Sequence, residues 1–582
     1  MTAASANHEP TAGGAGWRET HFGIDWLPTT HQWLSPARAS RLLWLLILLG
    51  IAARLVRYLL RFPLWPDEAY LATNFLDRDY LGLLQGLDNH QVAPLLFLWT
   101  QLTVVKLLGF SEYTLRLFPL LCGIGSLLLF ADLARRLLKG LPLLLAVGCF
   151  ASTYALIRYS CEAKPYSSDV LAAVGLLWLT ARFLTETPLM KETTQTNRRW
   201  LWLLAGGVPI AVGLSYPAVF VAGAITIAVG LRLLSKGDRR SWAGWAVYCV
   251  VLAGGFGLFY WLSTANQVAA ELENMRQYWR HIFPPLDQPL KLLGWMVATH
   301  TSELLAYPLG GARGASILTA LCCLAAVIAL FRRRQYLLLV LCLAPAALNF
   351  VAACLQRYPY AGEIRFSLYL APIICLLFAT GAAILVSVDE RGRARGPVPA
   401  LMVVAVLALI PVASLARDFI RPYKTLDALR ERDFARWFWF TKAYDADLIC
   451  LETDAGRDFF AARNRSPGMA LYLCNQRIYS PRRASGDPLL WGGAPSDRPL
   501  RCVRFRSSPL PYSEDAFRQW LEKMKSRYQL AGYELHAFPV HHKDRELLGY
   551  QWLELYEFRA GNAQTYLSAR SFGDDNHGGQ HR

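Results

Sequence analysis

Charge is scarce in this chain. Lys, Arg, Asp and Glu make up 18% of its 582 residues, below the roughly 25% of soluble globular domains, while 54% of the residues are hydrophobic. With a mean hydropathy of +0.25, the composition excludes an ordinary soluble enzyme and indicates a polytopic membrane protein. Acid is scarcer than base, 43 residues against 60, a net charge of +17. The basic excess sits mostly in short loops between apolar runs and forms no stripe interleaved with aromatics, so membrane topology explains it and nucleic acid is not an expected partner. Zinc-ligand spacing and a disulfide framework are also missing. Of the 12 Cys, those at 122, 149, 249, 322, 323, 342, 354 and 375 fall in apolar runs, where Cys acts as a small hydrophobe. Residues 1–40 show no basic start followed by a short apolar core, so no cleavable signal is expected and the first apolar run is read as a retained anchor.

What the chain has in quantity is long apolar runs. Candidates near the roughly 20 residues a spanning helix needs lie at 41–62, 113–134, 141–158, 167–185, 200–216, 217–234, 242–263, 314–331, 336–355, 366–386 and 398–416. Counting them predicts about eleven transmembrane helices. The basic loops 135–140, 191–199, 235–240, 331–335 and 389–396 all become cytoplasmic if the polar segment 1–40 is cytoplasmic. The run 94–110 would spoil that alternation as a span, so it is read as a helix lying along or dipping into the outer interface. Residues 41–420 then form the transmembrane domain, with outer loops at 63–112, 159–166, 264–313 and 356–365. Beyond it the composition turns mixed. Alternating runs such as "DADLICLE", "LRCVRFR" and "YQWLELYEF", with the helical "SEDAFRQWLEKMKSRY", predict an extracytoplasmic α/β domain over 421–561. Cys450, Cys474 and Cys502 allow one disulfide there, with no pair selected by spacing. The tail 562–582, rich in Gly, Ser, Asp and His, is expected to be disordered.

Few ionisable residues gather at the outer helix ends, and they are the chemical candidates. Asp67-Glu68 stands in "RFPLWPDEAYLATNF", just where the first run leaves the bilayer. A carboxylate there suits a general base, although Pro-Asp-Glu is also an ordinary helix opening. The second outer loop, "YSCEAKPYSSD", holds Glu162, Lys164, Tyr166 and Asp169, and ionisable groups at such depth are functional candidates. Lys164 suits a phosphate, with Glu162 or Asp169 as its acid partner. Arg54, Arg57 and Arg61 share one helix face and either snorkel to headgroups or hold a lipid phosphate, with Arg57 taken into the phosphate set. Arg357 and Arg365 flank the fourth loop, where Arg365 is the preferred clamp because a guanidinium forks onto oxyanions. Tyr70, His90 and Gln91 in the first loop, and Tyr278, Trp279 and His281 in the third, complete the substrate-side set. Phe283 and Trp295 are read as stacking or interfacial aromatics. His281 and His300 lack metal spacing. No cofactor is expected, and a divalent metal is left open.

The order "PLWPDEAYLATNFL", "GLLQGLDNHQVAPLLFLWTQLTVVKLLGFSEYTLRLFPLL", "ADLARRLL", "YSCEAKPYSSD" resembles the GT-C superfamily of membrane glycosyltransferases, in particular the group of protein O-mannosyltransferases and the aminoarabinose transferase of lipid A. The resemblance covers about residues 41–420. It implies a polyprenyl-phosphate sugar donor, hexosyl or pentosyl transfer with inversion, Asp67 as base with Glu68 beside it, and an active site outside a bacterial inner membrane. Two departures stand out. Gln91-Val92-Ala93-Pro94 replaces the Glu-Lys-Pro-Pro element of the aminoarabinose transferase, which removes a phosphate-binding lysine. The His-rich acceptor-loop signature of the mannosyltransferases is missing as well. Sugar and acceptor stay open, and membrane lipids are the remaining partner. Two other classes are a flippase of lipid-linked sugars and a silent scaffold displaying the C-terminal domain. The flippase reading calls for midplane charges and repeated halves, and neither is evident.

Overall fold

In the computed structural model, the described residues are 34–88, 91–185, 194–236, 239–268, 279–387, 397–424, 447–452, 500–506, 530–537 and 552–560, with isolated positions between 429 and 526. The chain divides into two compact units, one of Met1–Leu64 with Arg78–Lys424 and one of Trp65–Asp77 with Thr425–Arg582.

The first unit is helical. Each apolar run forms helix, and among the described residues 8 stretches are long and apolar enough to cross a membrane: Pro36–Leu59, Glu112–Leu137, Tyr166–Thr185, Ala218–Ser235, Arg239–Val268, Tyr336–Cys354, Ile364–Val386 and Val398–Ile420. Three expected spans fall outside that set. Thr194–Leu214 opens on a polar turn, and Ile317–Arg332 has 16 residues. The third run stops as Leu141–Ser152 at 12 residues, a rise of about 18 Å against a hydrocarbon layer of about 30 Å. Thr153, with φ −59° and ψ 115°, breaks it before a second short helix, Tyr154–Tyr159. Leu95–Leu108 has 14 residues, about 21 Å of rise, the length of a helix that dips without crossing.

Small residues set the closest approaches. A Cβ at Gly381 would overlap the Cys322 carbonyl, and one at Gly123 would overlap the Ser160 side chain. Such close backbone contact favours helix packing where lipid supplies no hydrophobic drive.

The second unit contains the short helices Pro66–Ala72 and Asn74–Asp77 and a mixed four-stranded sheet. Its strands are β1 (Asp447–Glu452), β2 (Leu500–Arg506), β3 (Leu530–Ala537) and β4 (Trp552–Ala560), in the order β1-β2-β4-β3. β1 runs parallel to β2, and β4 is antiparallel to both β2 and β3, with Ile449 opposite Cys502 and Val503 opposite Leu555. The three alternating runs of the sequence are β1, β2 and β4. β3 was not anticipated, and its register shift between Leu530 and Gly532 interrupts the alternation. The helix expected over 513–528, Cys474, the tail 562–582 and most of segment 1–40 lie outside the described residues, apart from single helical positions at 519, 522 and 526.

Candidate active site

The acid pair opens the Pro66–Ala72 helix. Trp65 is extended, at φ −91° and ψ 163°, Pro66 begins the helix, and Asp67 and Glu68 fill its first turn, where carboxylates meet the positive end of the helix. Glu68 is fully buried, and its Oε2 lies 3.4 Å from the Trp65 N–H. Its carboxylate therefore turns back to cap the helix start. Asp67 is half-buried, which separates the two acids by environment. Tyr70 is half-buried in the same helix.

In the first unit, the chain leading to this segment is tied down by buried Arg116, which donates to the carbonyls of Phe62 and, at 3.2 Å, of Pro63. Arg61 pairs with Glu112 at 2.8 Å. Arg57 points elsewhere: its guanidinium meets Asp418 at 2.6 Å inside the bundle. Arg54 is buried against the carbonyls of Gly50 and Ala151.

The second loop follows the break at Thr153. Arg158, one turn before Glu162, pairs with it at 2.7 Å, and the Lys164 N–H donates to the Glu162 carbonyl at 2.8 Å. Glu162 Oε2 is buried without a hydrogen-bond partner among the described residues. Lys164, itself buried, donates through Nζ to Oε1 of buried Gln91. Burying an ammonium is costly unless it is paired, so this contact holds the first loop to the second. Tyr166 stands edge-on to Tyr159, with centroids 5.0 Å apart. Asp169 is buried beside Ser215, in the first turn of Tyr166–Thr185.

The third and fourth loops meet at Arg365. It is the second residue of the 3₁₀ segment Ile364–Leu370, is buried, and forms an ion pair with Glu363, whose Oε2 lies 2.6 Å from Nε outside hydrogen-bond geometry. Its guanidinium carbon lies 5.4 Å from the Trp279 ring centre and 5.2 Å from that of Phe366, within cation–π range. Trp279 is edge-on to Phe366 at 5.2 Å, and exposed His281 tilts against Trp279 at 6.1 Å. Tyr159 joins the two halves, lying in the field of Arg158, Glu162, Arg365 and Glu363. Burial pushes its phenol up despite both cations. His300 is bonded to the Met296 carbonyl at 2.8 Å and to the Tyr360 hydroxyl at 3.0 Å, and burial pushes Tyr360 up to about 12.

Within the first unit, Lys164 is thus joined to Gln91, Arg365 to Trp279 with His281 against that ring, and Tyr159, edge-on to Tyr166, lies in the field of both Glu162 and Arg365. His90 and Tyr278 lie outside the described residues. Arg158, Glu363 and Arg116 were not anticipated; the spacing of four between Arg158 and Glu162 was the available signal. Among the described residues, no group of three His, Cys, Asp or Glu side chains could hold a metal.

Neither a family model nor a curated protein matches this sequence. Among solved structures, ArnT from Cupriavidus metallidurans bound to undecaprenyl phosphate has a TM-score of 0.51 at 12% identity, over 89% of this chain and 98% of that one. The apo form gives 0.50 at 12% identity over 88% and 98%. The archaeal oligosaccharyltransferase AglB from Archaeoglobus fulgidus, in complex with an inhibitory peptide and a dolichol-phosphate, gives 0.42 at 11% identity over 75% and 64%. At these identities the likeness is one of architecture: the chain is similar in fold to ArnT.

Proposed function

We propose that this protein is a GT-C glycosyltransferase that moves a sugar from a polyprenyl-phosphate donor to a protein, lipid or glycan acceptor. The proposed setting is the extracytoplasmic face of a bacterial inner membrane. The observations behind the reading are two buried cations on separate outer loops, Lys164 donating to Gln91 and Arg365 flanked by Trp279. Buried cations flanked by aromatics suit the headgroup of an anionic lipid. The ArnT likeness supports the lipid class, since that protein is bound to undecaprenyl phosphate.

In the proposed reaction, Asp67 takes the proton of the acceptor hydroxyl or amine as its oxygen or nitrogen attacks the anomeric carbon. The bond from that carbon to the phosphate oxygen breaks, its electron pair stays on the lipid phosphate, and the configuration inverts. Lys164 and Arg365 stabilise the charge that gathers on the leaving phosphate, where preorganised cations act most strongly. Lys164 also bears on the missing first-loop lysine. Its ammonium reaches Gln91, so the second loop brings positive charge to the element from which the lysine is missing. Arg57, already engaged by Asp418, is left out of the phosphate set in this mechanism. Glu162, Tyr166, Asp169, Tyr70, His90, Tyr278, Trp279 and His281 are assigned to sugar and acceptor binding. Glu68 is assigned to shaping the helix that presents Asp67.

The test is Asp67→Asn. Transfer from a polyprenyl-phosphate sugar should disappear while the melting temperature and donor binding stay near wild type. Retained transfer would remove Asp67 from the mechanism.

A further inference from the structure

We propose that Glu363 is a built-in competitor for the donor phosphate on Arg365, a positioning residue that hastens departure of the lipid-phosphate product. The inference rests on the reading above, in which Arg365 binds that phosphate.

The two members of the pair differ in setting. The Arg365 side chain is 9% exposed and that of Glu363 43%. The guanidinium is flanked by the rings of Trp279 and Phe366, and the carboxylate approaches its Nε at 2.6 Å. The carboxylate makes no hydrogen bond to that Nε, so it opposes a phosphate through its charge at the guanidinium and leaves the hydrogen-bonding edges, along which a guanidinium binds anions, to the lipid. Glu363 can regain water on release because it is nearly half exposed, and solvent-facing ion pairs are weak. The neighbouring Arg158–Glu162 pair has the opposite arrangement, with an acid 4% exposed and a base 24% exposed. Its carboxylate has no such route to water and holds the loop instead.

The chemistry makes a competitor useful. A sugar–phosphate–polyprenyl donor is a phosphodiester with one negative charge. When the anomeric bond breaks and its electrons stay on the phosphate, the product is a monoester bearing about 1.5 to 2 negative charges near neutral pH. An unopposed Arg365 would therefore hold product more tightly than donor. Glu363 keeps a negative charge at the same guanidinium, raising the cost of the more negative product above that of the donor.

The experiment uses the full chain in detergent, with undecaprenyl phosphate as probe. Binding is read by thermal shift, and steady-state transfer is measured from an undecaprenyl-phosphate sugar that the wild type accepts. Glu363→Gln should bind undecaprenyl phosphate roughly fivefold more tightly, the scale of a partly exposed ion pair. Both KM for the donor and kcat should fall, because product leaves more slowly. Glu363→Asp keeps the charge and should restore most of the wild-type kcat. In an Arg365→Ala background, Glu363→Gln should bring no gain. A purely structural Glu363 would lower stability and weaken binding, and that result overturns the proposal. So does unchanged affinity in Glu363→Gln. If that variant does not fold, the same comparison is made with Glu363→Ala. If wild type binds the probe but the variants bind equally well, the inference alone fails. If neither wild type nor variant responds to undecaprenyl phosphate, the lipid-phosphate reading fails with it.

Discussion

Arg57 and Asp418, 361 positions apart in sequence, meet at 2.6 Å inside the helical unit, with side chains 5% and 2% exposed. The Tyr154 hydroxyl lies 3.2 Å from Arg57 Nη1 and 3.3 Å from Asp418 Oδ1. This network ties the Pro36–Leu59 helix to the Pro397–Ile420 helix. Removing one member of a buried pair strands the other charge, at a cost of about 3–5 kcal/mol. Asp418→Ala should therefore melt well below wild type in detergent. Replacing both residues by Leu should recover most of the loss, since a buried pair is often no better than an apolar one. A melting temperature for Asp418→Ala equal to wild type would show that the pair contributes little.

Lys164 should matter to the chemical step more than to folding. Lys164→Met removes the ammonium held by Gln91 and keeps much of the side-chain volume. If Lys164 stabilises the leaving phosphate, kcat should drop on the order of 10²-fold, the usual loss for one preorganised donor. Gln91→Ala should cost less, because it misplaces the charge without removing it. The check is single-turnover transfer from a polyprenyl-phosphate sugar. Equal rates for Lys164→Met and wild type would leave Lys164 as a packing residue.

How much of this was readable beforehand depended on distance along the chain. The alternation of basic loops assigned the loops holding Gln91, Lys164, Trp279 and Arg365 to one side, and the structure joins Gln91 to Lys164 and Trp279 to Arg365. Helix periodicity likewise put Arg54, Arg57 and Arg61 on one face, but the helix ends at Leu59 and Arg61 lies past its cap at φ +47°, so only Arg54 and Arg57 are on the helix. It could not show their partners: Glu112 for Arg61, Asp418 for Arg57, and two backbone carbonyls for Arg54. Such pairings follow from packing between helices remote in sequence. The break at Thr153 was hidden too, because Leu141 to Tyr159 reads as one apolar run and neither Pro nor Gly marks the kink. β3 escaped notice because Gly532 disturbs its alternation at the register shift.

Glu303 makes stability depend on pH. Partial burial raises its carboxyl above the ordinary value of 4.5, and the negative charge of Glu363 adds to the effect. The folded state therefore binds this proton more tightly than the unfolded chain does. The resulting stabilisation is complete below the unfolded value and is lost as pH climbs through the raised folded value. Glu303→Gln should flatten that part of the profile and melt slightly higher than wild type at neutral pH. Melting temperatures from pH 4 to 8 provide the measurement, and an unchanged slope would discount the contribution of Glu303.

Gly362 tests whether the third and fourth loops position Arg365 together. Its φ is +93°, a conformation that side chains other than glycine rarely adopt. A Cβ there would overlap Ile282 Cγ2 and come within 2.6 Å of the Ile282 Cβ, and Ile282 is only 1% exposed. Ile282 follows Trp279 and His281 in the third loop, while Glu363 and Arg365 follow Gly362 in the fourth. Gly362→Ala must therefore either strain its own backbone, at about 1–3 kcal/mol, or push the loops apart, with overpacking of similar size. Both routes lower the melting temperature. Only separation of the loops also moves Trp279 away from Arg365 and raises KM for the donor. Adding Ile282→Ala relieves the overlap and leaves the backbone strain. If the double variant regains donor KM without regaining full stability, the Gly362–Ile282 contact is what holds the aromatic wall against the guanidinium. A single variant that is less stable but has normal KM would show that Arg365 keeps its place without the third loop.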